Sequence, residues 1–292
     1  MAATRLGFIG LGVMGGRMCR NLVRKSGLPV VAYDLDPTRA AALAPHGVAA
    51  ASGVAEVVAK ADVVFLCVPG EPQVRAVCLG PGGIVEHARA GQTVVDMTTA
   101  TPEVDREVAA ALAAKGADFA DAPVAKGVPS AEDGTLAITV GASAEVLARI
   151  EPYLRCMGTD ISHCGDVGTG QVMKLMNNML IAQNVSAIAE AMAIATRAGV
   201  PRARVFEILS KGSGDSFAMR RHGSYMTSGE YPDDMFPTTY QLKDVDYALA
   251  LADEVGVDAE QARVARRRLA EAVERGWGHL YAPVMYRLFE DT

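Results

Sequence analysis

The stretch GLGVMG at positions 10–15 constrains the fold of this chain more than any other. It follows Leu6–Ile9, an apolar run that predicts a buried strand, and it leads into Gly12–Ser26, which predicts a helix. The pattern G-x-G-x-x-G at such a turn is typical of dinucleotide binding, because its glycines permit a tight turn, close approach of a pyrophosphate and close helix–strand packing. The alternative is an ordinary strand–helix turn. The residues expected to contact the cofactor here are Gly10, Leu11, Gly12, Val13, Met14 and Gly15.

Short apolar runs alternate with alanine-rich helical segments over the first 160 or so residues. Runs of this length between Gly, Pro and Asp are typical of strands that are buried on both faces. Alternating strands and helices predict right-handed βαβ units and a parallel sheet, which is an α/β fold of the Rossmann type. Besides the first, the predicted strands are Pro29–Tyr33, Val63–Cys67, Thr93–Asp96, Asp118–Asp121 and Leu136–Val140.

The pattern changes after about Gly165. Residues Val167–Ala198 are helical and apolar on nearly all sides, so we expect other parts of the chain to cover this helix. The segments that follow predict further helices and no strand. The sequence therefore predicts a Rossmann-type domain over 1–165 followed by an all-α domain over 166–292. The predicted later helices are Ala203–Ser210, Gln241–Val255, Asp258–Arg275 and Pro283–Phe289.

Composition excludes several classes of partner. Half of the residues are apolar, as in globular proteins, and the net charge is −6, so nucleic acid and anionic membranes are not expected partners. The five cysteines form no C-x-x-C pair, which predicts neither a disulfide framework nor a metal site and favours a reducing, cytoplasmic location.

Asp34 follows the second predicted strand, at the position where an acidic side chain accepts hydrogen bonds from the adenine ribose. A carboxylate there would repel a 2′-phosphate, so NAD is the expected cofactor. Arg39 lies close by in the sequence and keeps NADP as the alternative. Asp36, which precedes Pro37, fits the role of a helix cap better than Asp34 does.

The start of the long helix carries a candidate catalytic pair. Lys174 and Asn178 are four residues apart and therefore share one helix face. A lysine on an otherwise apolar helix needs a partner or a task. The functional interpretation makes Lys174 a proton acceptor or donor for a substrate hydroxyl, with Asn178 orienting that hydroxyl or holding a carboxylate. The alternative is a lysine that extends to solvent.

The whole chain resembles the β-hydroxyacid dehydrogenase family, which includes the 3-hydroxyisobutyrate dehydrogenases. The motifs that carry the resemblance are FIGLGVMG (8–15), VP (68–69), DMTTATP (96–102), DAPV (121–124), GTL (134–136), GxGxxxKxxNN (168–178) and LKD (242–244). The resemblance implies the two-domain plan given above, with a long interdomain helix and a second domain used for substrate binding and oligomerisation. It also implies nicotinamide-dependent interconversion of a small 3-hydroxy acid and its semialdehyde, in a homodimer or homotetramer.

The resemblance also implies roles for single residues. Lys174 is the expected catalytic residue, and Asn178 holds the substrate beside it. The alternative to a cofactor contact is a helix cap for Thr99 and an exposed position on a helix for Lys243. The further residues expected to contact the cofactor are Val68, Pro69, Gln73, Thr99 and Lys243.

One segment departs from the family pattern. Members commonly have Ser-Gly-Gly after D-A-P-V, where the serine and the backbone bind the substrate carboxylate, whereas this chain has Ala125, Lys126 and Gly127. We expect these three residues to contact the substrate through backbone N–H groups. The side chain of Lys126 has two possible roles. It forms a salt link to a substrate carboxylate, sulfonate or phosphonate, or it extends into solvent.

Three other functions remain as alternatives. A 6-phosphogluconate dehydrogenase-like enzyme resembles K-x-x-H-N, whereas this chain has Asn177 in place of the histidine and is shorter. An imine reductase shares the domain plan but usually lacks the lysine. A nucleotide-binding protein without turnover would not need the pair Lys174 and Asn178.

Overall fold

The computed structural model describes residues 4–290, which fold into two compact units that divide between Lys174 and Leu175. This division lies further along the chain than the boundary predicted after residue 165. The difference arises because side chains of the first unit hold the first turn of the long helix, as described below.

The first unit contains one nine-stranded sheet. Its strands are β1 (Leu6–Ile9), β2 (Val30–Tyr33), β3 (Val48–Ala50), β4 (Val63–Leu66), β5 (Thr93–Asp96), β6 (Asp118–Asp121), β7 (Val124–Ala125), β8 (Leu136–Gly141) and β9 (Gly158–Gly165). The order β3-β2-β1-β4-β5-β6 is parallel throughout, as predicted. The expectation of a wholly parallel sheet is wrong at β8, which runs antiparallel to β6 and β7 and parallel to β9.

Helices cover both faces of this sheet. They are α1 (Gly15–Ser26), α2 (Pro37–Leu43), α3 (Val54–Lys60), α4 (Glu71–Leu79), α5 (Ile84–His87), α6 (Pro102–Ala113), α7 (Val128–Asp133) and α8 (Ala144–Met157). Alternating strand residues divide the core: Leu6 and Phe8 pack under α1 and α8, whereas Ile9 and Leu66 pack with the apolar layer on the other face.

The strand order places the predicted cofactor turn at the centre of the sheet. The chain reverses its direction of winding between β1 and β4, and open α/β sheets bind ligands at the carboxyl ends of the strands at such a point. The glycine turn follows β1 directly, and Val68 follows β4. The fold therefore brings together two segments that the sequence predicts to bind the cofactor.

The long helix α9 spans Thr169–Arg197, close to the predicted Val167–Ala198. Ala182, Val185, Ala189 and Met192 lie on one buried face of it in the core of the second unit. Within one copy of the chain the helix is not covered on most sides, because its outer face leaves large apolar side chains exposed: Met173, Leu180 and Ile194. By length and composition α9 is also able to cross a bilayer, a property that core helices of soluble proteins share.

The second unit is helical, as predicted. Its further helices are α10 (Arg202–Leu209), α11 (Phe217–Ser228), α12 (Thr238–Glu254) and α13 (Glu260–Ala272), followed by a π-helical turn (Val273–Trp277) and a 3-10 helix (Ala282–Phe289). The sequence analysis missed α11, whose glycine, serine and arginine residues obscure the apolar periodicity.

Candidate active site

The glycine turn after β1 has one closed side and one open side. Gly10 has a φ of +89°, and a Cβ atom there would lie 2.1 Å from the carbonyl oxygen of Cys67. A Cβ atom at Gly15 would lie 2.0 Å from the carbonyl oxygen of Gly10. At Gly12, by contrast, the nearest atom would be Nη1 of Arg39 at 3.5 Å. The backbone is therefore packed against protein at two glycines and open at Gly12, where a pyrophosphate must approach.

Helix α1 begins at this turn, and among the described residues no side chain caps its first N–H groups and no acidic residue occupies its first turn. Among the other helices of the unit, Asp36 caps α2, as predicted, Thr101 caps α6 and Ser143 caps α8, whereas α3, α4, α5 and α7 also begin without a side-chain cap from within residues 4–290. Unpaired N–H groups and the helix dipole attract anions. The start of α1 thus fits the pyrophosphate of a dinucleotide.

Asp34 lies at the end of β2 and is tied to the glycine turn. One carboxylate oxygen accepts a hydrogen bond from the Leu11 N–H at 2.6 Å, and the other accepts one from the Asp36 N–H at 2.9 Å. Nη1 of Arg39 lies 3.6 Å from the carboxylate of Asp34. Asp34 therefore holds the glycine turn in place, in addition to the ribose-binding role that the sequence predicts for it.

The segments after β4 and β5 are joined by a hydrogen bond. The Val68 N–H donates to the hydroxyl oxygen of Thr98 at 3.1 Å. Pro69 and Gln73 are exposed, and Thr99 is half-buried. Capping of α6 by Thr99, the alternative for that residue, is wrong, because Thr101 provides the cap through the N–H of Val104.

A second glycine segment, Gly165–Gly170, leads into α9 and includes its first two residues, and here protein atoms fill the space beside the glycines. The buried Asp121 carboxylate at the end of β6 accepts hydrogen bonds from the N–H groups of Gly168 at 2.6 Å and Gln171 at 2.8 Å. A Cβ atom at Gly170 would lie 2.6 Å from Oδ2 of Asp121, and one at Gly141 would lie 2.3 Å from Oδ1. An internal carboxylate therefore caps the helix that carries Lys174.

Gln171 joins this turn to the preceding strand ends. Its amide nitrogen donates to the Thr98 carbonyl at 2.8 Å and to the Asp105 carboxyl at 3.0 Å, and its amide oxygen accepts from the Ala100 N–H at 3.2 Å. Lys174, half-buried, lies one helical turn further on. The first turn of α9 is thus fixed at the carboxyl edge of the sheet, where the glycine turn also lies.

Asp96 and Asp105 form a buried acidic pair within hydrogen-bonding distance of each other. Burial raises the pKa of Asp96 to about 7, and burial together with the nearby carboxylates raises the pKa of Asp105 well above its usual range. Burial also raises the pKa of Asp121 to about 6, against the opposing effect of its backbone hydrogen bonds. Two carboxyl groups buried side by side therefore favour a state in which they share one proton.

The segment Ala125–Gly127 connects β7 to α7. Lys126 is the one non-glycine residue with positive φ (82°) among residues 4–290, and Gly127 follows with a φ of 79°. The Lys126 ammonium group pairs with the Asp160 carboxylate on β9 and lies 3.4 Å from the carbonyl oxygen of Thr135. The lysine is thus partnered within the protein, which neither of the two sequence interpretations included.

In the second unit Asn178 is buried and belongs to a polar group on α9 and α12. Its amide nitrogen donates to Asp244 at 2.5 Å, and Nζ of Lys243 lies 2.7 Å from the other oxygen of that carboxylate. Nζ of Lys243 also lies 4.7 Å from the centre of the Tyr247 ring. Asp244 therefore sets the orientation of both predicted site residues.

The sequence analysis missed five buried polar residues that hold predicted site residues or the segments that carry them. They are Asp96, Asp105, Asp121, Gln171 and Asp244. Their signal in the sequence is a polar residue at a position where strand or helix periodicity predicts an apolar one. Among the described residues, no group of three histidine, cysteine or acidic side chains is placed to hold a metal ion.

Two family models match the chain in succession. Residues 5–165 match the NAD binding domain of 6-phosphogluconate dehydrogenase, and residues 168–289 match the NAD-binding domain of NADP-dependent 3-hydroxyisobutyrate dehydrogenase. With the open glycine turn, these matches define an NAD(P)-binding oxidoreductase.

Curated relatives and solved structures agree with this class. The 2-(hydroxymethyl)glutarate dehydrogenase of Eubacterium barkeri is 38% identical, with 87% of this chain and 84% of that one covered. The 3-hydroxyisobutyrate dehydrogenase of Pseudomonas aeruginosa is 36% identical, with 88% and 87% covered. The Mycobacterium tuberculosis 3-hydroxyisobutyrate dehydrogenase structure with L-serine has a TM-score of 0.89 at 31% identity, with 98% and 99% covered.

The chain belongs to the β-hydroxyacid dehydrogenase family. The resemblance inferred from the motifs is confirmed, as are the Rossmann-type first domain, the helical second domain and the nicotinamide cofactor. The chain is therefore an NAD(P)-dependent oxidoreductase of the class that acts on CH–OH groups.

Proposed function

We propose that this protein interconverts a small 3-hydroxy acid and its semialdehyde, with Lys174 as the general acid and base. The observation that carries the proposal is the anchoring of the first turn of α9. Asp121 and Gln171 fix that turn at the carboxyl edge of the sheet, which also carries the open glycine turn and Val68. In this proposal the proton-transfer residue Lys174 and the glycine turn that binds the cofactor lie at the same edge of the sheet.

A bound nicotinamide ring supplies the hydride acceptor of such a reaction. In the oxidation, Nζ of Lys174 accepts the proton of the substrate hydroxyl, and in the reduction it returns that proton. Asn178 follows one turn later on the same helix and orients the hydroxyl, because Asp244 fixes its amide. Positioning and charge placement contribute most of the rate in this scheme.

The substrate carboxylate binds at Ala125–Gly127 in this proposal. Two consecutive residues with positive φ give the segment a defined backbone shape, and a lysine in that conformation is strained. Such strain is concentrated at functional sites. The curated relatives are named for 2-(hydroxymethyl)glutarate and 3-hydroxyisobutyrate, both carboxylic acids with a hydroxyl. Acids of this kind, and their sulfonate and phosphonate analogues, are the proposed substrates.

The test is a screen of hydroxy acids and semialdehydes in which the absorbance of reduced nicotinamide is followed. We expect wild-type turnover of at least one 3-hydroxy acid. Lys174→Ala should reduce kcat by about a thousandfold or more, because it removes the proton acceptor, and should leave NADH affinity within about twofold.

Lys60→Ala is the matched control, since Lys60 is an exposed helix lysine paired with Glu56. It should turn over like the wild type. Turnover of Lys174→Ala at the wild-type rate contradicts the role of the lysine. Tight NADH binding without turnover of any hydroxy acid would instead favour a nucleotide-binding protein, and turnover of cyclic imines an imine reductase.

The proposed cofactor is NAD rather than NADP. Asp34 supports this preference, because its carboxylate lies beside the turn with a side chain that is 10% exposed. A negative charge there repels a 2′-phosphate. Arg39 supplies the opposing charge, and its guanidinium also lies 3.5 Å from Asp36.

The proposed assembly is a homodimer or homotetramer. Leu180 and Ile194 on α9 and Ile208 on α10 are more than half exposed, an arrangement that a second copy would cover. Light scattering after size-exclusion chromatography tests this, and a monomer at micromolar concentration contradicts it. The proposed location is the cytoplasm, which fits the five free cysteines of the described residues.

A further inference from the structure

A continuous hydrogen-bonded network runs from the segment after β4 to the first turn of α9. The reaction scheme uses its Gln171 end as an anchor for α9 but gives no role to the two buried acids in its middle, Asp96 and Asp105. Val68 donates to Thr98, and the Thr98 N–H in turn donates to Asp96 at 2.8 Å. Asp96 faces Asp105, and Asp105 accepts from Gln171 on α9. The network thus links a predicted cofactor segment to the helix of Lys174.

The chemistry of the network requires a donor between the two acids. Asp96 and Asp105 are both fully buried, and two ionised carboxylates side by side in a protein interior repel each other strongly. Oδ2 of Asp96 and Oδ1 of Asp105 have no N–H or O–H partner among the described residues. A proton on Asp105 lets it donate to Asp96 while its other oxygen accepts from Gln171.

Other groups near the pair are acidic or thiol groups. Asp121 lies close enough to raise the pKa of both carboxyl groups. The pair in turn contributes to the raised pKa of the Cys78 thiol on α4, and Asp96 contributes to the raised pKa of the Cys67 thiol after β4. With no metal cluster among the described residues, a shared proton is the simplest way to hold the acids together.

We propose that Asp105, as a neutral carboxylic acid, and Gln171 are positioning residues that hold the Lys174-bearing turn of α9 against the Val68–Thr98 segment. This inference rests on the proposed function for the role of Lys174. Neither residue contacts substrate in this scheme; both act through the helix. Their loss should therefore lower kcat and loosen the helix start while cofactor affinity remains.

The first test compares Gln171→Leu with Gln92→Leu. Gln92 is an equally buried glutamine of the same unit, and its amide donates to the carbonyls of Val58 and Ala61 away from α9. Both variants should lower Tm by a similar amount. Only Gln171→Leu should lower kcat, by about tenfold or more, with NADH affinity within about twofold of wild type.

The second test asks whether Asp105 acts as a neutral donor. Asparagine places an amide nitrogen against Asp96 and an oxygen against Gln171, so Asp105→Asn should lose less than about threefold in kcat. Asp105→Ala removes both bonds and should lose about tenfold or more. If the two variants lose kcat equally, the neutral-donor role is wrong.

Amide hydrogen exchange of residues 168–175 in the full chain gives a measurement independent of turnover. Exchange in this segment should be about tenfold faster in Gln171→Leu and Asp105→Ala, and unchanged in Gln92→Leu and Asp105→Asn. Unchanged exchange, or faster exchange with wild-type kcat, overturns the inference. Lys174→Ala measured alongside separates the two proposals, because an active Lys174→Ala defeats the proposed function and an inactive one leaves it standing.

Discussion

Two glycine-rich turns of the first unit each lead into a helix, but they differ in what occupies the space at the helix start. At Gly10–Gly15 the middle glycine faces open space, and the first N–H groups of α1 have no side-chain cap among the described residues. At Gly165–Gly170 the carboxylate of Asp121 occupies the corresponding space and caps α9. The first helix start is left for an external anion, and the second is satisfied by the protein.

This difference shows that a glycine-rich turn followed by a helix is not by itself an anion site. What decides is whether another part of the fold supplies a carboxylate. Asp121 comes from the end of β6, far from α9 in the sequence, so the local pattern does not reveal it. An external cofactor and an internal cap thus arise from similar short sequences.

The largest expected effect is on the filled turn. Gly170→Ala places a Cβ atom 2.6 Å from both the Asp121 carboxylate and the carbonyl oxygen of Thr139, a backbone atom that cannot rotate away. We expect the free energy of unfolding to fall by about 3 kcal/mol in urea titrations.

Gly53→Ala is the control, since a Cβ atom there would meet nothing within 4 Å. Its unfolding free energy should stay within about 0.5 kcal/mol of wild type. A Gly170→Ala variant as stable as Gly53→Ala would mean that the second turn is as open as the first.

The next effect is the pH dependence of stability that the buried acids produce. Asp96 and Asp105 have folded-state pKa values above their unfolded values, so their stabilising contribution is complete below about pH 4 and is lost as the pH rises through about 7 for Asp96. Asp105→Asn removes one titrating group. Between pH 5 and 8 the unfolding free energy of the wild type should therefore fall further than that of Asp105→Asn, and the difference between the two falls should be on the order of 1 kcal/mol. Parallel profiles for the two proteins would show that Asp105 is ionised in the folded state.

A smaller effect is expected on cofactor preference, through Asp34 beside the turn Gly10–Gly15. Asp34→Asn removes the charge that faces a 2′-phosphate but keeps an oxygen for the Leu11 N–H. The ratio of kcat/KM for NADP to that for NAD should rise by about tenfold. Arg39→Ala should change that ratio in the opposite direction. An unchanged ratio in Asp34→Asn would mean that the carboxylate serves the turn alone.

The smallest effect is at the segment Ala125–Gly127, which has two consecutive residues with positive φ. Lys126 and Asp160 form a pair with side chains that are 42% and 60% exposed. Exposed pairs contribute little, so Asp160→Asn should change the unfolding free energy by less than about 0.5 kcal/mol in urea titrations. A loss comparable to that of Gly170→Ala would show that the pair holds the loop in place.

Local patterns predicted the parts of the fold that depend on local physics. Buried strands such as β1 and β4 are continuous apolar runs, and the dinucleotide turn has its glycines at fixed spacing. Strands β3 and β9 were not predicted, because at least half of the residues in each are exposed and their sequences are polar or alanine-rich. The candidate lysine was visible because a charge on an apolar helix is unusual.

The supporting residues were not visible, because their partners are distant in the sequence. Gln171 contacts residues that lie 66 to 73 positions earlier. Asn178 and Asp244 are 66 positions apart. No short pattern encodes such pairs, and the antiparallel pairing of β8 depends in the same way on contacts made after the chain has folded.

The measurement that tests the account most directly is an NADH fluorescence titration of Gly12→Ala. A Cβ atom at Gly12 has room in the folded chain but occupies the space where the pyrophosphate must approach. The account predicts a Kd weaker by about tenfold or more, with Tm within about 2 °C of wild type. Wild-type affinity in a folded Gly12→Ala variant would contradict the placement of the cofactor at this turn.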